Sequence, residues 1–259
     1  CCTNYLLNSY NFLAFFSQIF YSKHYFQKNQ CDYVFVPGGI FLSHFKPFFV
    51  MSQNMLPFDN LALLNFPIIE RIKFLIMKFL QLMTFNKSNG IIFLSKYASE
   101  TIIKNLNNNV SSTIIPHGIN QQGNNFYKFS NKSFEILYVS DFLPYKYNYN
   151  VALAVSELIT EGYDIRLNLI GRKDKVQSKK IDDLLNSKDI IREKINVSGS
   201  LSYSEVVSFY KSANLFLFAS VCENLPFIIL EAMSFGLPII SSNNRPMSEI
   251  IFGEDIYFE

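Results

Sequence analysis

The sequence predicts an α/β fold with two parallel sheets, and three observations support that prediction. Short apolar, β-branched or aromatic runs alternate with longer segments of helical periodicity, which is typical of parallel strands covered by helices on both faces. A chain of 259 residues with 49% hydrophobic content can bury a sizeable core, as one large or two small domains. Asn, Gln and Gly concentrate in residues 120–132, so this segment is interpreted as a linker between two Rossmann-like halves.

Strands and helices are predicted in turn along the chain. The predicted strands are residues 33–36, 48–51, 90–94, 113–115, 135–139, 166–170, 195–197, 215–218 and 238–241. The predicted helices are residues 60–84, 96–105, 148–161, 202–211 and 227–235. Because ligands of such sheets lie at the carboxyl ends of the strands, four loops are expected to face one cleft. They follow Val139, Ile170, Val197 and Phe218.

Composition and charge argue against several classes of function. A net charge of +2 gives no strong attraction to nucleic acid, so no nucleic-acid partner is expected. The four cysteines show neither a CxxC pair nor a disulfide spacing, which fits a reducing, cytoplasmic compartment. Three scattered histidines do not indicate a zinc site. No apolar run reaches the roughly 18 uninterrupted residues of a transmembrane helix, and polar residues interrupt the N-terminal region too often for a signal peptide.

The helical region of residues 66–85 is apolar and carries Arg71, Lys73 and Lys78, with Lys87 just beyond it. One interpretation is a basic amphipathic helix in peripheral contact with the inner face of a membrane. The other is a core helix whose cations reach solvent along its surface. We favour the core helix, because Ile, Leu, Met and Phe occupy most of its faces.

The run from Ser220 to Met233 is the most informative stretch of the chain. Glu223 and Glu231 stand eight positions apart, and a helix is predicted to begin near Pro226, between them, and to end before Gly236. The free N–H groups and the positive dipole end of a helix start favour a phosphate. Helical side chains lean towards that end, so Glu231 can reach hydroxyl groups held there. The arrangement suits a nucleotide sugar. Two solvated surface acids are the alternative, disfavoured because the neighbours of Glu231 are apolar.

Several motifs together carry a family resemblance. They are residues 32–39, 51–58, 115–119, 137–146, 223–240, 243–251 and 257–258. In this order and spacing they resemble the retaining GT-B glycosyltransferases of family 4 (group 1), and within them the mannosyltransferase-like branch that builds polysaccharide and lipopolysaccharide chains. The resemblance covers nearly the whole chain.

The resemblance implies a GT-B fold with two Rossmann-like domains, both incomplete. Residues 1–119 would be part of the N-terminal, acceptor-side domain, residues 120–132 the linker, and residues 133–259 part of the C-terminal, nucleotide-sugar-binding domain. The family's opening strand and glycine-rich loop do not fit before Asp32, the first residue is Cys rather than Met, and the family continues beyond Glu259. We therefore expect a fragment truncated at both ends.

The same resemblance assigns residues to the donor site. Lys146 and Glu223 are expected to be catalytic, with Lys146 neutralising the departing diphosphate without a proton transfer. The family pairs this lysine with an arginine five positions earlier, where this chain has Asp141. Further donor contacts are expected from Glu231, Ser140, Gly118, Arg172, Asn224, Leu225, Phe227 and Ile228.

The acceptor side departs from the family pattern. Many relatives have His-Asp-x-x-Pro where this chain has Gln53, Asn54 and Pro57. A glutamine can hydrogen-bond a sugar hydroxyl but cannot act as a base near neutral pH. No Asp-x-Asp motif stands where a divalent cation would bridge the diphosphate. We therefore expect no metal and no cofactor, with a GDP- or UDP-hexose as the donor substrate.

The leading hypothesis is a hexosyltransferase, with mannose as the preferred sugar and a glycan or lipid-linked acceptor. The alternative is a non-catalytic GT-B paralogue that binds a nucleotide sugar or a partner enzyme, which Asp141 and Gln53 favour. An epimerase or phosphorylase on the same fold is more remote. Fold alone decides none of these.

Overall fold

The computed structural model describes residues 22–120, 133–251 and 257–258. These residues fall into two compact units. The first contains the described residues up to Asn60 together with Ile68–Pro116, and the second contains Leu61–Pro67 with the described residues from His117 onward. The predicted linker, residues 120–132, lies outside the described residues from position 121.

The first unit contains a four-stranded parallel sheet in the order β1-β2-β3-β4. Its strands are β1 Val34–Val36, β2 Phe48–Met51, β3 Gly90–Phe93 and β4 Ser112–Ile114. Its helices are α1 Ser22–Lys28, α3 Ile68–Lys87 and α4 Lys96–Ile103, with a 3₁₀ turn at Leu56–Phe58. Helix α2, Asn60–Leu63, belongs from Leu61 onward to the second unit. In the two central strands Val50 and Phe93 are completely buried, because helices cover a parallel sheet, whereas Phe49 is 40% exposed.

The second unit contains a six-stranded parallel sheet in the order β10-β9-β8-β5-β6-β7. Its strands are β5 Phe134–Val139, β6 Ile165–Ile170, β7 Ile195–Ser198, β8 Leu215–Phe218, β9 Ile239–Ser242 and β10 Tyr257–Phe258. The predicted α/β fold with two parallel sheets is therefore confirmed. Since β5 lies between β6 and β8, the loops that follow these three strands emerge side by side.

Helices cover the second sheet. They are α5 Asn148–Thr160, α6 Lys175–Leu185, α7 Asp189–Lys194, α8 Tyr203–Ser212, α9 Phe227–Ser234 and α10 Met247–Ile250, with a 3₁₀ turn at Pro144–Lys146. Helix α8 begins with a capping box in which Ser202 and Glu205 exchange hydrogen bonds. A Schellman turn follows helix α9: Gly236 has a φ of +70° and its N–H donates to the Met233 carbonyl, while the Leu237 N–H donates to the Ala232 carbonyl.

Two local predictions differ from the structure. The helix predicted for residues 60–84 is two helices, α2 and α3, because Pro67 interrupts the helical backbone and disfavours the helical conformation at Phe66. Helices α1, α6, α7 and α10 have no counterpart among the predicted helices. Helix α6, for example, has only four apolar residues among its eleven and fully buries only Ile181, so its apolar content is low.

Helix α3 does not pack as a core helix along its whole length. It fully buries only Gln81, Thr84 and Phe85, all in its last two turns. Apolar side chains of its first three turns are exposed instead, so the favoured interpretation of this segment as a core helix is wrong for that part.

Candidate active site

Lys146 and Glu223 form an ion pair in the second unit. Lys146 closes the 3₁₀ turn that follows β5, and Glu223 lies in the loop that follows β8. Because β5 and β8 are neighbours in the sheet, residues 77 positions apart come into contact at its carboxyl edge. Their side chains are only 11% and 14% exposed, so water screens this pair weakly.

Aromatic residues hold Lys146 in place. Its ammonium nitrogen Nζ lies 5.2 Å from the ring centroid of Tyr145 and 5.3 Å from that of Phe218, both within cation–π range. Beneath it, the hydroxyl of the buried Tyr138 donates a hydrogen bond to the Lys146 carbonyl. The loop after β8 is tied to the same turn, since the Val221 N–H donates to the Tyr145 carbonyl at 3.1 Å. Burial raises the pKa of the Tyr138 and Tyr145 phenols, so both stay neutral.

Glu231, one turn into α9, has a buried partner. Its Oε2 accepts a hydrogen bond of 3.0 Å from the Tyr210 hydroxyl, and the Tyr210 ring stacks on Phe235 at 5.1 Å between centroids. The same hydroxyl lies 3.5 Å from the Ile228 carbonyl in the first turn of α9, which places the carboxylate of Glu231 towards the helix start. Burial raises the pKa of Glu231 above its ordinary value, and the hydrogen bond from Tyr210 partly opposes that change.

Asp141 and Arg172 form a second ion pair beside the first. The Asp141 carboxylate accepts from the Arg172 guanidinium at 2.8 Å and from the Arg172 backbone N–H at 3.2 Å. The two side chains are 40% and 74% exposed. The acid that occupies the family's arginine position is therefore neutralised by a cation from the loop after β6.

A glycine makes this second pair possible. The loops after β5 and β6 meet at Gly171, where an added Cβ would lie 1.9 Å from the Ser140 carbonyl oxygen. No other residue type fits such an approach without moving the backbone. The Phe142 N–H also donates to the Arg172 carbonyl at 2.9 Å, so the two loops are joined on both sides of the ion pair.

The start of α9 carries no side-chain cap. Pro226 is the N-cap residue and forms no side-chain capping hydrogen bond, and its carbonyl accepts from the Ile229 N–H at 3.0 Å. Of the other predicted contacts around it, Asn224 is buried, Leu225 and Ile228 are half-buried, and Phe227 is 43% exposed.

Two further predicted donor residues differ in their surroundings. An added Cβ at Gly118 would meet no atom within 4 Å, so there is open space beside its backbone. The neighbouring His117 packs edge-on against Phe227, with ring centroids 6.1 Å apart. Ser140 is buried. Its hydroxyl accepts a hydrogen bond from the Asn148 amide at 3.0 Å and donates one to the Asp141 carbonyl at 3.2 Å. The Ser140 hydroxyl is therefore bonded within the protein.

The predicted acceptor-side residues lie in the first unit, at the carboxyl end of β2. Gln53 is exposed, and its amide nitrogen lies 3.4 Å from the sulfur of Met51. The amide oxygen of Asn54 accepts from the Leu56 N–H at 3.0 Å, which starts the 3₁₀ turn that follows. Asn54 therefore supports the local backbone, while Gln53 remains open to solvent.

A shallow polar cavity of about 300 Å³ lies elsewhere in the second unit. The first residues of β5 and β6, strand β7 and the end of α7 line it, so it is at the amino edge of the sheet. In parallel α/β sheets ligands bind at the opposite edge, where the two ion pairs lie. We therefore place the candidate site at the carboxyl edge. Within the described part of the chain no group of three or more His, Cys, Asp or Glu side chains could hold a metal ion.

Residues 121–254, over half of the chain, match the model of a protein family described as "Glycosyl transferases group 1". The chain belongs to this family. The matched residues include both ion pairs and helix α9.

Two curated proteins resemble the chain. An uncharacterized glycosyltransferase of Haemophilus influenzae is 27% identical over 167 residues, which cover 64% of this chain and 42% of that protein. The capsular polysaccharide biosynthesis glycosyltransferase CapM of Staphylococcus aureus is 25% identical over 118 residues, or 46% of this chain and 30% of CapM. The matches thus span less than half the length of these relatives.

Solved structures share the fold. Sucrose-phosphate synthase from Thermosynechococcus elongatus matches with a TM-score of 0.75 and 15% identity, over 96% of this chain and 65% of that one. Anabaena Alr3699/HepE in complex with UDP and glucose matches with a TM-score of 0.60 and 13% identity, over 80% and 56% of the two chains. Together with the family match and the two parallel sheets, these likenesses confirm the predicted GT-B fold.

Sequence reasoning missed three residues that support the site: Tyr138, Tyr210 and Asn148. All three are almost completely buried, at 0%, 1% and 1% exposure. Buried tyrosines usually need a hydrogen-bond partner, and that rule is a signal that could have directed attention to Tyr138 and Tyr210. Tyr138 is 8 positions from its partner Lys146, and Tyr210 is 21 positions from its partner Glu231, so no local sequence pattern reveals either partner.

Proposed function

We propose that this protein is a retaining hexosyltransferase that moves a sugar from a nucleotide-diphosphate donor to a glycan or lipid-linked acceptor. The observation that carries the proposal is the nearly buried Lys146–Glu223 pair at the carboxyl edge of the second sheet. Such a pair is costly to bury, and it stands at the edge where ligands of this class of sheet bind.

The pair suits the chemistry of donor cleavage. In the transfer, the bond between the sugar C1 and the diphosphate oxygen breaks and a bond from C1 to an acceptor oxygen forms on the same face. The acceptor proton passes to the departing phosphate. Lys146 would exchange its contact with Glu223 for the diphosphate and stabilise the charge that develops there. Glu223, released from Lys146, would accept hydrogen bonds from sugar hydroxyls.

The start of α9 would complete the donor site. The positive dipole end of the helix, which the Pro226 side chain does not cap, favours a phosphate group, and Glu231 leans towards the same end from one turn along. Glu231 is half-buried and not fully enclosed, so its carboxylate can accept hydrogen bonds from sugar hydroxyls in addition to the one from the Tyr210 phenol.

The identities of donor and acceptor extend this proposal. A GDP- or UDP-hexose is the proposed donor, with mannose preferred from the family resemblance, and the solved HepE complex contains UDP and glucose. CapM acts in capsular polysaccharide biosynthesis by its name, which supports polysaccharide or lipopolysaccharide synthesis. We place the reaction in the cytoplasm, with peripheral contact at the inner face of the membrane. None of the helices in the described ranges is long and apolar enough to cross a membrane.

A second candidate function is a non-catalytic paralogue that binds a nucleotide sugar or a partner enzyme. Two observations favour it. Asp141 occupies the position of the family arginine and forms an ion pair with Arg172, and Gln53 occupies the position of the family histidine. Both changes would reduce turnover more than donor binding.

The test is a panel of GDP- and UDP-hexoses, with donor binding measured by calorimetry and sugar release or transfer measured by product analysis. We expect one donor to bind and turn over, and Lys146→Met to lower turnover by on the order of 100-fold or more. Donor binding without turnover would favour the paralogue, and free epimerised sugar or sugar phosphate would indicate the third class of enzyme.

Folding must be separated from function in this test. Lys146→Met leaves Glu223 buried without its cation, which typically costs about 3–5 kcal/mol of stability. The double variant Lys146→Met/Glu223→Gln removes both charges and should regain most of that stability while remaining inactive. Lys179→Gln, an exposed lysine of α6, is the matched control and should retain full turnover.

A further inference from the structure

The outward face of helix α3 is an apolar stripe. Its side chains are between 51% and 78% exposed. The residues of the stripe are Ile68, Ile69, Ile72, Leu75, Ile76 and Phe79. A single exposed apolar side chain is ordinary on a protein surface, but a contiguous set marks a contact surface.

The spacing places these six side chains on one face. At about 100° of rotation per residue they cover an arc of about 120°. The centre of that arc is opposite the face that buries Gln81, Thr84 and Phe85. From Ile68 to Phe79 the stripe extends for about 17 Å along the helix. Helix α3 therefore packs on its own unit with one face and presents a second apolar face to its surroundings.

Cations border the stripe on both sides. On the helical wheel Lys73 lies at one edge, and Arg71 and Lys78 lie at the other. The acid of this segment, Glu70, lies opposite the stripe on the helical wheel and is exposed there. The surface therefore combines apolar side chains in the middle with positive charge along each edge.

We propose that the apolar stripe of α3 docks on the surface of an anionic lipid bilayer, with its cations against the headgroups. An apolar face bordered by Lys and Arg is how an interfacial helix binds a membrane, and each cation adds attraction to anionic lipid. A second copy of the chain fits less well, because pairing two such stripes brings the cations of one against those of the other. The proposal does not depend on the donor chemistry, which involves only residues of the second unit.

Co-sedimentation of the full chain with vesicles tests this inference. We expect binding to vesicles of phosphatidylcholine with 30% phosphatidylglycerol, about tenfold or more above binding to phosphatidylcholine alone, and weaker in high salt. Ile72→Ser/Ile76→Ser/Phe79→Ser should abolish binding. Lys73→Gln/Lys78→Gln should weaken it about tenfold or more, because each cation near an anionic surface contributes roughly fivefold.

Matched controls come from exposed positions in the second unit. Val176→Ser/Ile190→Ser removes exposed apolar side chains, and Lys179→Gln/Lys188→Gln removes two exposed cations. Both controls should bind vesicles as the unaltered chain does. Thermal unfolding checks that the stripe variants still fold. Absence of binding to anionic vesicles, equal loss in the controls, or a stripe-dependent dimer that ignores vesicles would each overturn the proposal. Normal donor turnover alongside any of these results would leave the proposed transferase activity intact and remove only the proposed membrane contact.

Discussion

At the scale of single residues, the candidate site consists of charges whose partners lie within the protein. Lys146 is held by Glu223, Asp141 by Arg172, and Glu231 by the hydroxyl of Tyr210. Each of these contacts would have to be shared or exchanged when a charged ligand binds. Stability and ligand binding should therefore respond in opposite directions to some substitutions, because functional groups are commonly kept at a cost in stability.

Glu231→Gln should raise stability relative to the unaltered chain as pH increases, and should weaken donor binding. Burial raises the pKa of Glu231, so the folded state favours the protonated form. The stability this gives is fully present below the unfolded pKa of about 4.3 and is lost as pH rises through the folded pKa. A glutamine keeps an acceptor for Tyr210 without that loss. The melting temperature of the variant minus that of the unaltered chain should therefore increase between pH 4 and pH 7, by at most a few degrees.

The measurement is thermal unfolding of both proteins across that pH range, with donor affinity measured at pH 7. We expect weaker donor binding in the variant, because a glutamine accepts sugar hydroxyls less strongly than a carboxylate. Glu157→Gln, on an exposed face of α5, is the matched removal of a helical carboxylate. A difference in melting temperature that is constant with pH, or largest at pH 4, would contradict a raised pKa at Glu231.

Asp141→Asn should strengthen the binding of a nucleoside diphosphate. It removes a negative charge beside the proposed diphosphate site and releases the guanidinium of Arg172, while the amide oxygen can still accept from the Arg172 N–H. Exposed ion pairs are worth up to about 1 kcal/mol, so the gain in affinity should be no more than about fivefold. Arg172→Gln should weaken binding by a similar factor.

Calorimetry with UDP and with GDP measures both effects. Asp164→Asn is the matched control, since Asp164 also accepts from a cation, Lys194, at 2.8 Å in the same unit. It should leave the dissociation constant unchanged. If Asp141→Asn weakens binding, Asp141 supports the ligand rather than opposing it.

At the scale of elements, the loop contact at Gly171 decides whether the second ion pair can form. Gly171→Ala would put a methyl group 1.9 Å from the Ser140 carbonyl oxygen, and only a backbone shift can relieve such an overlap. We expect a loss of about 2–4 kcal/mol in the free energy of unfolding, measured by urea denaturation. Gly199→Ala, in the loop after β7 and with no atom within 4 Å of its Cβ, should change stability by about 0.5 kcal/mol or less. Equal stability of the two variants would show that the loops do not need this approach.

The sequence predicts elements well where the pattern is strong and poorly where the environment decides. Each of the nine predicted strands has a counterpart in the described residues, because buried parallel strands read as short apolar runs. Helix α6 escapes prediction because only four of its eleven residues are apolar, and helix α3 is predicted to lie in the core although one face is exposed. Apolar content shows that a helix has a face to cover, but not what covers it.

The candidate site shows the same division. Glu223, Glu231 and Lys146 could be selected from motifs, because helix starts and loop cations have local signatures. The contact between Lys146 and Glu223 could not, since it depends on β5 and β8 being neighbours although helices and two other strands separate them in sequence. The pairing of Asp141 with Arg172 likewise depends on a close approach of loops that only the folded sheet creates.

At the scale of the whole molecule, the proposed donor site predicts where a ligand should protect the backbone. The predicted catalytic pair, the second ion pair and the start of α9 lie at the carboxyl edge of the second sheet, whereas the cavity of about 300 Å³ lies at its amino edge. Hydrogen exchange with saturating UDP or GDP should slow in residues 140–146, 171–172 and 223–231. At 100 times the dissociation constant, the ligand stabilises the bound state by about 2.7 kcal/mol, which is about a 100-fold slowing for amides that exchange by opening this region.

The amino edge serves as the reference within the same unit. The exchange of amides of residues 192–196, beside the cavity, should slow less than that of amides at the carboxyl edge. These amides can exchange through local opening motions during which the ligand stays bound. Lys146→Met/Glu223→Gln should remove the protection at the carboxyl edge while leaving exchange at the amino edge unchanged. Protection centred on residues 192–196 would show that the ligand binds in the cavity at the amino edge. It would contradict a binding site at the carboxyl edge, which the fold and the ion pairs indicate.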